Sequence, residues 1–412
     1  MAGYVATLAN WDALLQEDYV QGKIVSAVNT ATPFRDTLKR TSIIGGRRRI
    51  YGTKVGTSQA GGARPEGAAM PDYGAGEYQD VIVQAKYNYA PFKITGQAEE
   101  FSTKAAFVEF GMQILKDTQE GLKLFTGRQC WGDGTGTLAL INNGAGYAAG
   151  STTFTVDSAY GQLWGSLAAN TTFLLKRNMI VQLGSDDNNG AGYKITSVAG
   201  TTFSIAAPGL AVAAVDNALV ATKGSAGYEI EGILKFGATA ALQTTLGLGT
   251  TFYHGIDRGA YPEWEGNVLN VSAALSFTNI RSLRDAIYKR TDDEESNLFI
   301  CSTEIARDYE ALLQATVRTT TAPILRGGVS MLQHDGLNIS KDSKAPAKAF
   351  FLLDTGTLNW AQTRDPHWLT DGQGIMRVVP GTDAKEALLR WYANLDQEQP
   401  RRVGIGYNVT VS

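Results

Sequence analysis

The stretch STKAAFVEFGMQILKDTQEGLKLFTGRQCWGDGTG, residues 102–136, decides the fold. Apolar side chains recur at spacings of three, four and seven along one side, and a second apolar stripe follows the other side. The first stripe contains Ala105, Val108, Met112, Leu115, Leu122 and Phe125, and the second contains Phe107, Phe110, Ile114 and Leu124. With Ser102 as N-cap, this pattern predicts a long helix that ends near Gly127 and is covered on two sides.

The chain before this helix begins with a basic arm. Residues 1–51 show no compact core pattern, and between residues 35 and 54 seven cations accompany one acid, Asp36. The cations are Arg35, Lys39, Arg40, Arg47, Arg48, Arg49 and Lys54. Such a segment is predicted to be an extended arm that docks on an acidic surface. DNA phosphates, acids of a neighbouring subunit and a merely solvated run of charge are the three alternatives.

The arm leads into a predicted hairpin. Strand-like runs at 49–55 and 78–89 flank a glycine-rich stretch at 60–76. The apolar content is too low for the hairpin to stabilise itself, because an isolated hairpin is marginal in water. We therefore expect a neighbour to hold it.

Residues 137–228, which follow the helix, differ in composition from the rest. They carry eight charged side chains, about half the density implied by the 19% charged fraction of the whole chain. Short β-type runs recur at 152–156, 178–183, 193–198, 201–205 and 219–222, separated by Gly and Asn turns. The segment is predicted to be a small all-β unit, with a barrel as one arrangement.

After residue 232 the pattern becomes mixed α and β. Helices are predicted at 276–290 and, with Thr303 as N-cap, at 303–313. Strands are predicted at 297–301, 349–353, 374–379 and 388–392. The last apolar run alternates strictly from Val403 to Val411 and is predicted to be a half-buried strand. The fold class is therefore α+β.

Composition excludes several classes of protein. The chain has 412 residues, is 43% hydrophobic and carries a formal charge of −3, so it can form a core and is no polycation built to grip nucleic acid. No signal peptide is expected, because Met1 to Val5 show no basic stretch before an apolar run. The most apolar window, 205–215, is too short to span a bilayer. Cys130 and Cys301 are predicted to be buried inert thiols in a reducing compartment.

Signatures of catalysis and cofactor binding are missing from the sequence. There is no G-x-S-x-G turn, no phosphate-binding loop and no dinucleotide fingerprint. His254, His334 and His367 are far apart and lack zinc-site spacing, so each is predicted to have a surface or satisfied polar role. The acidic run 292–295 is predicted to be a solvated loop and not a calcium site. We predict no catalytic residue, no metal and no cofactor.

The order of parts resembles the tailed-bacteriophage major capsid proteins of the Hong Kong 97-like fold. The individual motifs that carry the resemblance are Phe92-Lys93-Ile94-Thr95, Trp131-Gly132-Asp133-Gly134-Thr135-Gly136, Gly232-Ile233-Leu234, Asp342-Ser343-Lys344-Ala345-Pro346 and Phe350-Phe351-Leu352-Leu353-Asp354. In the family the glycine turn is closely followed by the Gly-Ile-Leu step, so the β-rich segment resembles an insertion at one point. Where the family often has Gly after the proline of the late loop, this chain has Ala347.

The resemblance implies a division of the chain. It comprises an N-terminal arm (1–51), an extended loop (52–86), a peripheral domain with the spine helix (87–136), a β-rich insertion (137–231), a mainly axial domain (232–362) and a return to the peripheral domain (363–412). It also implies a non-enzymatic subunit of an icosahedral shell that forms homo-pentamers and homo-hexamers around double-stranded DNA.

Partners and contacts follow from the same resemblance. Scaffolding, portal and decoration proteins and non-specific contact with packaged double-stranded DNA are implied, with assembly in the host cytoplasm, location in the virion and no membrane partner. The start of the sequence leads us to expect an uncut chain with a separate scaffold. Contact candidates between subunits are Arg35, Arg40, Arg47, Arg48, Arg49, Lys54, Arg64, Glu66, Tyr73 and Glu77. No lysine lies at the hairpin tip, so no lysine–asparagine cross-link is expected there. Rival interpretations are an encapsulin-type nanocompartment shell, a β-rich glycan-binding surface protein and an enzyme.

Overall fold

The computed structural model describes residues 4–6, 31–42, 46–58, 60–70, 74–100, 104–157, 174–247, 251–291, 296–316, 333–334, 336–370 and 374–411. The strands are β1 (Tyr4–Ala6), β2 (Lys39–Ser42), β3 (Arg48–Gly56), β4 (Glu77–Gln84), β5 (Lys86–Thr95), β6 (Thr137–Leu140), β7 (Thr153–Thr155), β8 (Ile180–Leu183), β9 (Tyr193–Ala199), β10 (Thr202–Ile205), β11 (Leu219–Thr222), β12 (Phe252–Tyr253), β13 (Ile256–Asp257), β14 (Asn267–Asn270), β15 (Leu298–Cys301), β16 (Gln333–His334), β17 (Leu337–Lys341), β18 (Phe350–Leu353), β19 (Leu358–Gln362), β20 (His367–Trp368), β21 (Arg377–Val378), β22 (Ala384–Gln397) and β23 (Gly404–Tyr407). The α-helices are α1 (Pro33–Thr37), α2 (Gly96–Glu100), α3 (Lys104–Gln129), α4 (Ile233–Phe236), α5 (Ala240–Thr245), α6 (Phe277–Thr291) and α7 (Thr303–Thr316), and short 3-10 helices occupy Pro262–Trp264 and Pro400–Arg402.

The first sheet has the strand order β1-β5-β22-β19-β2, with β20 and β21 also paired to β22. Strand β22 is much longer than the predicted 388–392, because it pairs along ten residues of β5 and five of β19. The charged residues Lys385, Glu386 and Asp396 lie outside the predicted segment and hid both ends of the strand in the sequence. The predicted run 78–89 is two strands, because the chain turns at Ala85 from the hairpin into this sheet.

Helix α3 crosses this sheet and confirms the predicted long helix, although it ends two residues beyond Gly127. Ile114 packs with Phe92 and Ile94 of β5. On another side α1 approaches closely, since a Cβ at Gly127 would lie 2.5 Å from Cγ2 of Thr32. The helix is therefore covered from two sides in its C-terminal half. The predicted N-cap, Ser102, lies outside the described residues.

Six strands between Thr137 and Thr222 form the second sheet, in the order β6-β11-β8-β9-β10-β7. The sheet closes on itself, because Ile141 at the end of β6 bridges Val156 at the end of β7. Asn142 N donates to Thr155 O at 2.9 Å, and Asp157 N donates to Leu140 O at 2.6 Å. The closed barrel has its own buried cluster, which contains Phe154, Val181, Ile195, Phe203 and Val220 among others.

The chain enters and leaves this barrel at one place. Gly227 N donates to Thr135 O at 2.8 Å, and Ile233 N donates to Cys130 O at 2.8 Å. A Cβ at Gly232 would lie 2.4 Å from the carbonyl oxygen of Cys130. Glycine is therefore required where the returning chain packs on the end of α3.

The third sheet has the order β14-β23-β18-β15-β17-β16 and is covered on both faces. Helices α6 and α7 bury Ile280, Leu283, Ile305 and Tyr309 against one face. The other face adjoins the central core through Ile300, Phe351, Leu353 and Ile405. The N-cap of α7 is Ser302 and not Thr303 as predicted, because the Ser302 hydroxyl accepts the Ile305 N–H at 3.3 Å.

The predicted half-buried last strand is wrong in its exposure and its place. Strand β23 lies inside the third sheet between β14 and β18, so it does not return to the first sheet. Gly404 and Gly406 occupy its alternate positions. A Cβ at Gly404 would meet Ile287 at 2.9 Å, and one at Gly406 would meet the Phe350 ring at 2.2 Å. The residues that alternate with the apolar residues of β23 are therefore glycines and not polar residues.

Candidate subunit interface

The hairpin of β3 and β4 carries an uncovered tip. The two strands are antiparallel with Tyr51 opposite Val81. All residues from 61 to 70 are exposed, and Met70 is 89% exposed. A cleft of about 780 Å³ lies between this tip and the segment around Tyr261, lined by both Arg64 and Glu77. The tip has no hydrophobic cover of its own among the described residues, as the sequence predicted.

The base of the hairpin is held by its own chain, so the expectation that a neighbour must hold the whole hairpin is wrong for this part. Val81 and Val83 are fully buried in the central core. Ile82 N donates to His254 O at 2.8 Å. Gln79 Nε2 donates to the Tyr261 hydroxyl at 2.9 Å. The support comes from the small β12–β13 turn and the 3-10 helix after it, which the sequence did not predict.

Ion pairs reinforce this base. Arg49 Nη1 lies 2.5 Å from Oδ2 of Asp396, and Nη2 lies 3.0 Å from Oε1 of Glu398. The Tyr51 hydroxyl donates to Oδ1 of Asp396 at 3.0 Å. Burial raises the pKa of the Asp396 carboxyl and outweighs the lowering by His254 and Arg49. Burial and the adjacent Asp396 raise the pKa of Tyr51.

Three predicted contact arginines are engaged within the chain. Arg35 is buried, pairs with Asp36 at 2.9 Å and donates from Nε to Thr126 Oγ1 at 2.9 Å. Arg40 pairs with Asp365 at 3.1 Å. Arg49 binds the carboxylates described above. For these three, the predicted acidic surface lies on the same chain.

The other predicted contact residues are exposed, with one exception. Arg47, Arg48, Lys54, Arg64 and Glu66 are all exposed on the hairpin. Glu77 is also exposed and accepts a hydrogen bond from the Tyr261 hydroxyl at 2.8 Å. Tyr73 lies outside the described residues. The structure therefore gathers the free charges on the hairpin itself.

Buried polar groups at the hairpin base were missed in the sequence. His254 is 4% exposed and lies between Glu231 and Asp396, and it was given only a general polar role. Asn394 Nδ2 donates to Gln84 O at 3.0 Å and to Glu231 Oε2 at 3.1 Å. These residues are far apart in the sequence, from Gln84 to Asp396, and no local spacing predicts that they meet.

Both cysteines are buried, as the sequence predicted. Burial raises the pKa of the Cys130 thiol and raises that of Cys301 to about 12. Among the described residues no group of three His, Cys, Asp or Glu side chains is placed to hold a metal ion. The acidic run 292–295 lies outside the described residues. None of the helices that the structure describes is long and apolar enough to cross a membrane.

Three solved structures are similar to this chain along most of their length. The Cyanophage A-1(L) capsid chain is 13% identical with a TM-score of 0.57, over 96% of each chain. A native GTA particle capsid chain is 10% identical with a TM-score of 0.49, over 98% of this chain and 99% of that one. The holo-SrpI encapsulin of Synechococcus elongatus PCC 7942 is 10% identical with a TM-score of 0.44, over 98% and 95%.

No family model and no curated protein matches the chain in sequence. The likeness to the Cyanophage A-1(L) capsid chain extends along nearly the entire length of both proteins. The chain therefore has the mixed α/β fold of a phage capsid protein.

Proposed function

We propose that this chain is the major capsid protein of a tailed bacteriophage, a structural subunit without enzymatic activity. The observation that carries the proposal is the capsid fold shared along 96% of both chains with the Cyanophage A-1(L) protein. Fold alone does not fix function. The exposed hairpin also supports the proposal.

The exposed tip on a firmly held base suits a contact with a neighbouring copy. A segment without hydrophobic cover gains order by lying on another surface, while its fixed base keeps the direction in which it projects. Contacts of this head-to-tail kind are heterologous and close into rings, here pentamers and hexamers of an icosahedral shell. Arg47, Arg48, Lys54, Arg64 and Glu66 are the proposed contact residues, with Tyr73 and Glu77 beside them.

The barrel is proposed to be an inserted domain that projects from the shell. Its support is the adjacency of Thr135 and Gly227, which lets the body close beneath it. The other proposed divisions are the arm (1–51), the extended loop (52–86), the peripheral domain (87–136), the axial domain (232–362) and the return to the peripheral domain (363–412). Strand β19 joins the first sheet and β23 the third, so the last two boundaries apply to most but not all of their strands.

Proposed partners are further copies of this chain, scaffolding and portal proteins, decoration proteins and packaged double-stranded DNA. The shell would assemble in the host cytoplasm and persist in the virion. The experiment is negative-stain microscopy of the purified full chain, with nuclease-protected DNA measured in particles from an infected or induced host. We expect closed shells, and DNA inside those from the host.

A variant in which a short turn replaces residues 58–75 keeps the base of the hairpin and should yield soluble subunits without shells. The matched control, Lys194→Gln, alters one exposed charge on β9 of the barrel, outside the proposed contact residues, and should still assemble. A compact monomer at high concentration would refute the proposal. Shells filled with protein cargo and no DNA would favour the encapsulin alternative.

A further inference from the structure

Two chain segments, residues 142–151 and 206–215, close the end of the barrel that lies away from the body, and we call them the barrel cap. Thr137 of β6 lies beside the connection to the body and pairs with Ala221 of β11. Leu140 and Leu219 pair at the opposite end of the same two strands. The first segment of the barrel cap follows β6 at this end, and the second precedes β11. The barrel cap therefore lies at the opposite end of the barrel from the body.

The surface of the barrel cap is exposed and uncharged. None of its twenty residues is charged, although 19% of the residues in the whole chain are. Thirteen of the twenty are exposed, and Val212 and Val215 are 60% and 72% exposed. Apart from the amides of residues 142 and 143 and the hydroxyls of residues 147 and 151, its side chains are aliphatic or absent. Apolar patches of this kind on a soluble protein mark interaction sites.

Hydrogen bonds hold the barrel cap in one conformation. Tyr147 N donates to Ala214 O at 2.7 Å, and Ala214 N donates to Tyr147 O at 2.9 Å, so the two segments are joined as in a sheet. Asp186, on the neighbouring loop, accepts the Val212 N–H at 3.2 Å. Leu210 anchors the second segment in the buried cluster of the barrel. A surface that is already ordered loses little conformational entropy when it binds a partner.

The composition of the barrel cap suits a second copy of itself. A charged partner surface would lose its water against the barrel cap without gaining an opposite charge, which is unfavourable. Another barrel cap is apolar and uncharged in the same way, and contact between two identical patches around a two-fold axis is self-complementary. We propose that the barrel caps of neighbouring subunits pack against each other around such an axis. The inference rests on the proposed shell, which holds neighbouring subunits together.

The size of the barrel cap indicates where this contact forms. A stable interface takes about 20–30 residues from each partner, and the thirteen exposed residues of the barrel cap are about half of that number. Two free subunits are therefore not held together by their barrel caps alone. In a shell the other contacts keep neighbours at a high effective concentration, so a small contact still forms and adds to the stability of the assembly.

Disulfide trapping in assembled shells tests the contact. Val212→Cys and Val215→Cys are made one at a time, and the natural cysteines, Cys130 and Cys301, are buried and do not compete. Shells are treated with a mild oxidant and run on a denaturing gel without reductant. A disulfide needs Cα atoms within about 7 Å, so we expect at least one variant to run mainly as a dimer. Free subunits of both variants, and shells of the control Ser197→Cys on the side of the barrel, should stay monomeric on the gel.

A charge substitution gives a second measurement. In Val212→Asp/Val215→Asp the contact would bring carboxylates of like sign together away from water, so the shells should dissociate at a lower temperature. Thermal unfolding of the free subunit should not change, because both side chains are exposed there. Ser197→Asp is the matched control and should leave both temperatures unchanged. An unchanged dissociation temperature in the double variant, or intact shells in which both cysteine variants stay monomeric, would overturn the inference and leave the proposed function in place. A wild-type chain that forms no shells would overturn both.

Discussion

Replacing Arg49 with methionine removes the cation that neutralises Asp396. The carboxylate is fully buried, and it would retain only the Tyr51 hydroxyl at 3.0 Å and His254 at 3.8 Å. Removing one partner of a buried ion pair costs about 3–5 kcal/mol. Arg49 is one quarter exposed, so solvent already screens part of the interaction. We therefore expect a loss of about 3 kcal/mol in the free energy of unfolding, at the lower end of this range.

The assay is urea unfolding of the full chain at a concentration below assembly, followed by tryptophan fluorescence. Arg48→Met is the matched control, because Arg48 is the adjacent arginine on the opposite, exposed face of β3 and should change stability by less than about 0.5 kcal/mol. In an Asp396→Asn background, the effect of Arg49→Met should largely disappear. Equal losses for Arg48→Met and Arg49→Met would refute the reasoning that burial makes this pair different.

Three further predictions concern other parts of the chain. Gly406→Ala should destabilise the folded chain by about 2 kcal/mol or more, because the new Cβ meets the Phe350 ring. Gly121→Ala, which lies in a helix with open space around it, should stabilise the folded chain by up to about 1 kcal/mol. Thermal unfolding measures both changes. The pKa of Glu231 is about 2 in the folded chain against 4.5 normally, so its contribution is full above pH 4.5 and is lost as the pH falls towards 2. The stability advantage over Glu231→Gln should shrink across this range in urea titrations at successive pH values. Particles boiled in detergent should run as a single band, because the tip of the hairpin, residues 57–76, contains no lysine; a ladder would show a covalent cross-link.

Local periodicity was sufficient for most elements of the fold. The predicted run 219–222 matches β11 residue for residue, and the helix predicted at 276–290 is displaced by one residue from α6. The helix has Ile280, Leu283 and Ile287 on one face, and β11 is a short run of Leu, Val, Ala and Thr between turn residues, so neighbouring residues contain the needed information. Strand β22 was recognised only in its middle because it carries charges at its ends.

The sequence did not predict which residues that are far apart in the chain lie close together in the fold. Asp396 and His254 are 142 positions apart, and the fold alone brings them together at the foot of the hairpin. Arg35, Arg40 and Arg49 bind acids of the same chain, and no sequence pattern tells an intramolecular acid from an acid on another molecule. The exposure of β23 was predicted wrongly because of Gly404 and Gly406. A strand that packs tightly through glycine shows the same alternation in sequence as a strand with one solvent-exposed face.

The two chain segments that connect the closed barrel to the body lie side by side and are joined by a hydrogen bond between Gly227 N and Thr135 O. Because Thr135 O and Gly227 N are 2.8 Å apart, a linker of about two or three residues would span the opening if the barrel were excised. The two connecting segments of the remaining protein would keep their present positions. A different domain whose own ends lie close together could be inserted at the same point. The size and chemistry of the inserted domain can therefore vary without changing the sheets of the body.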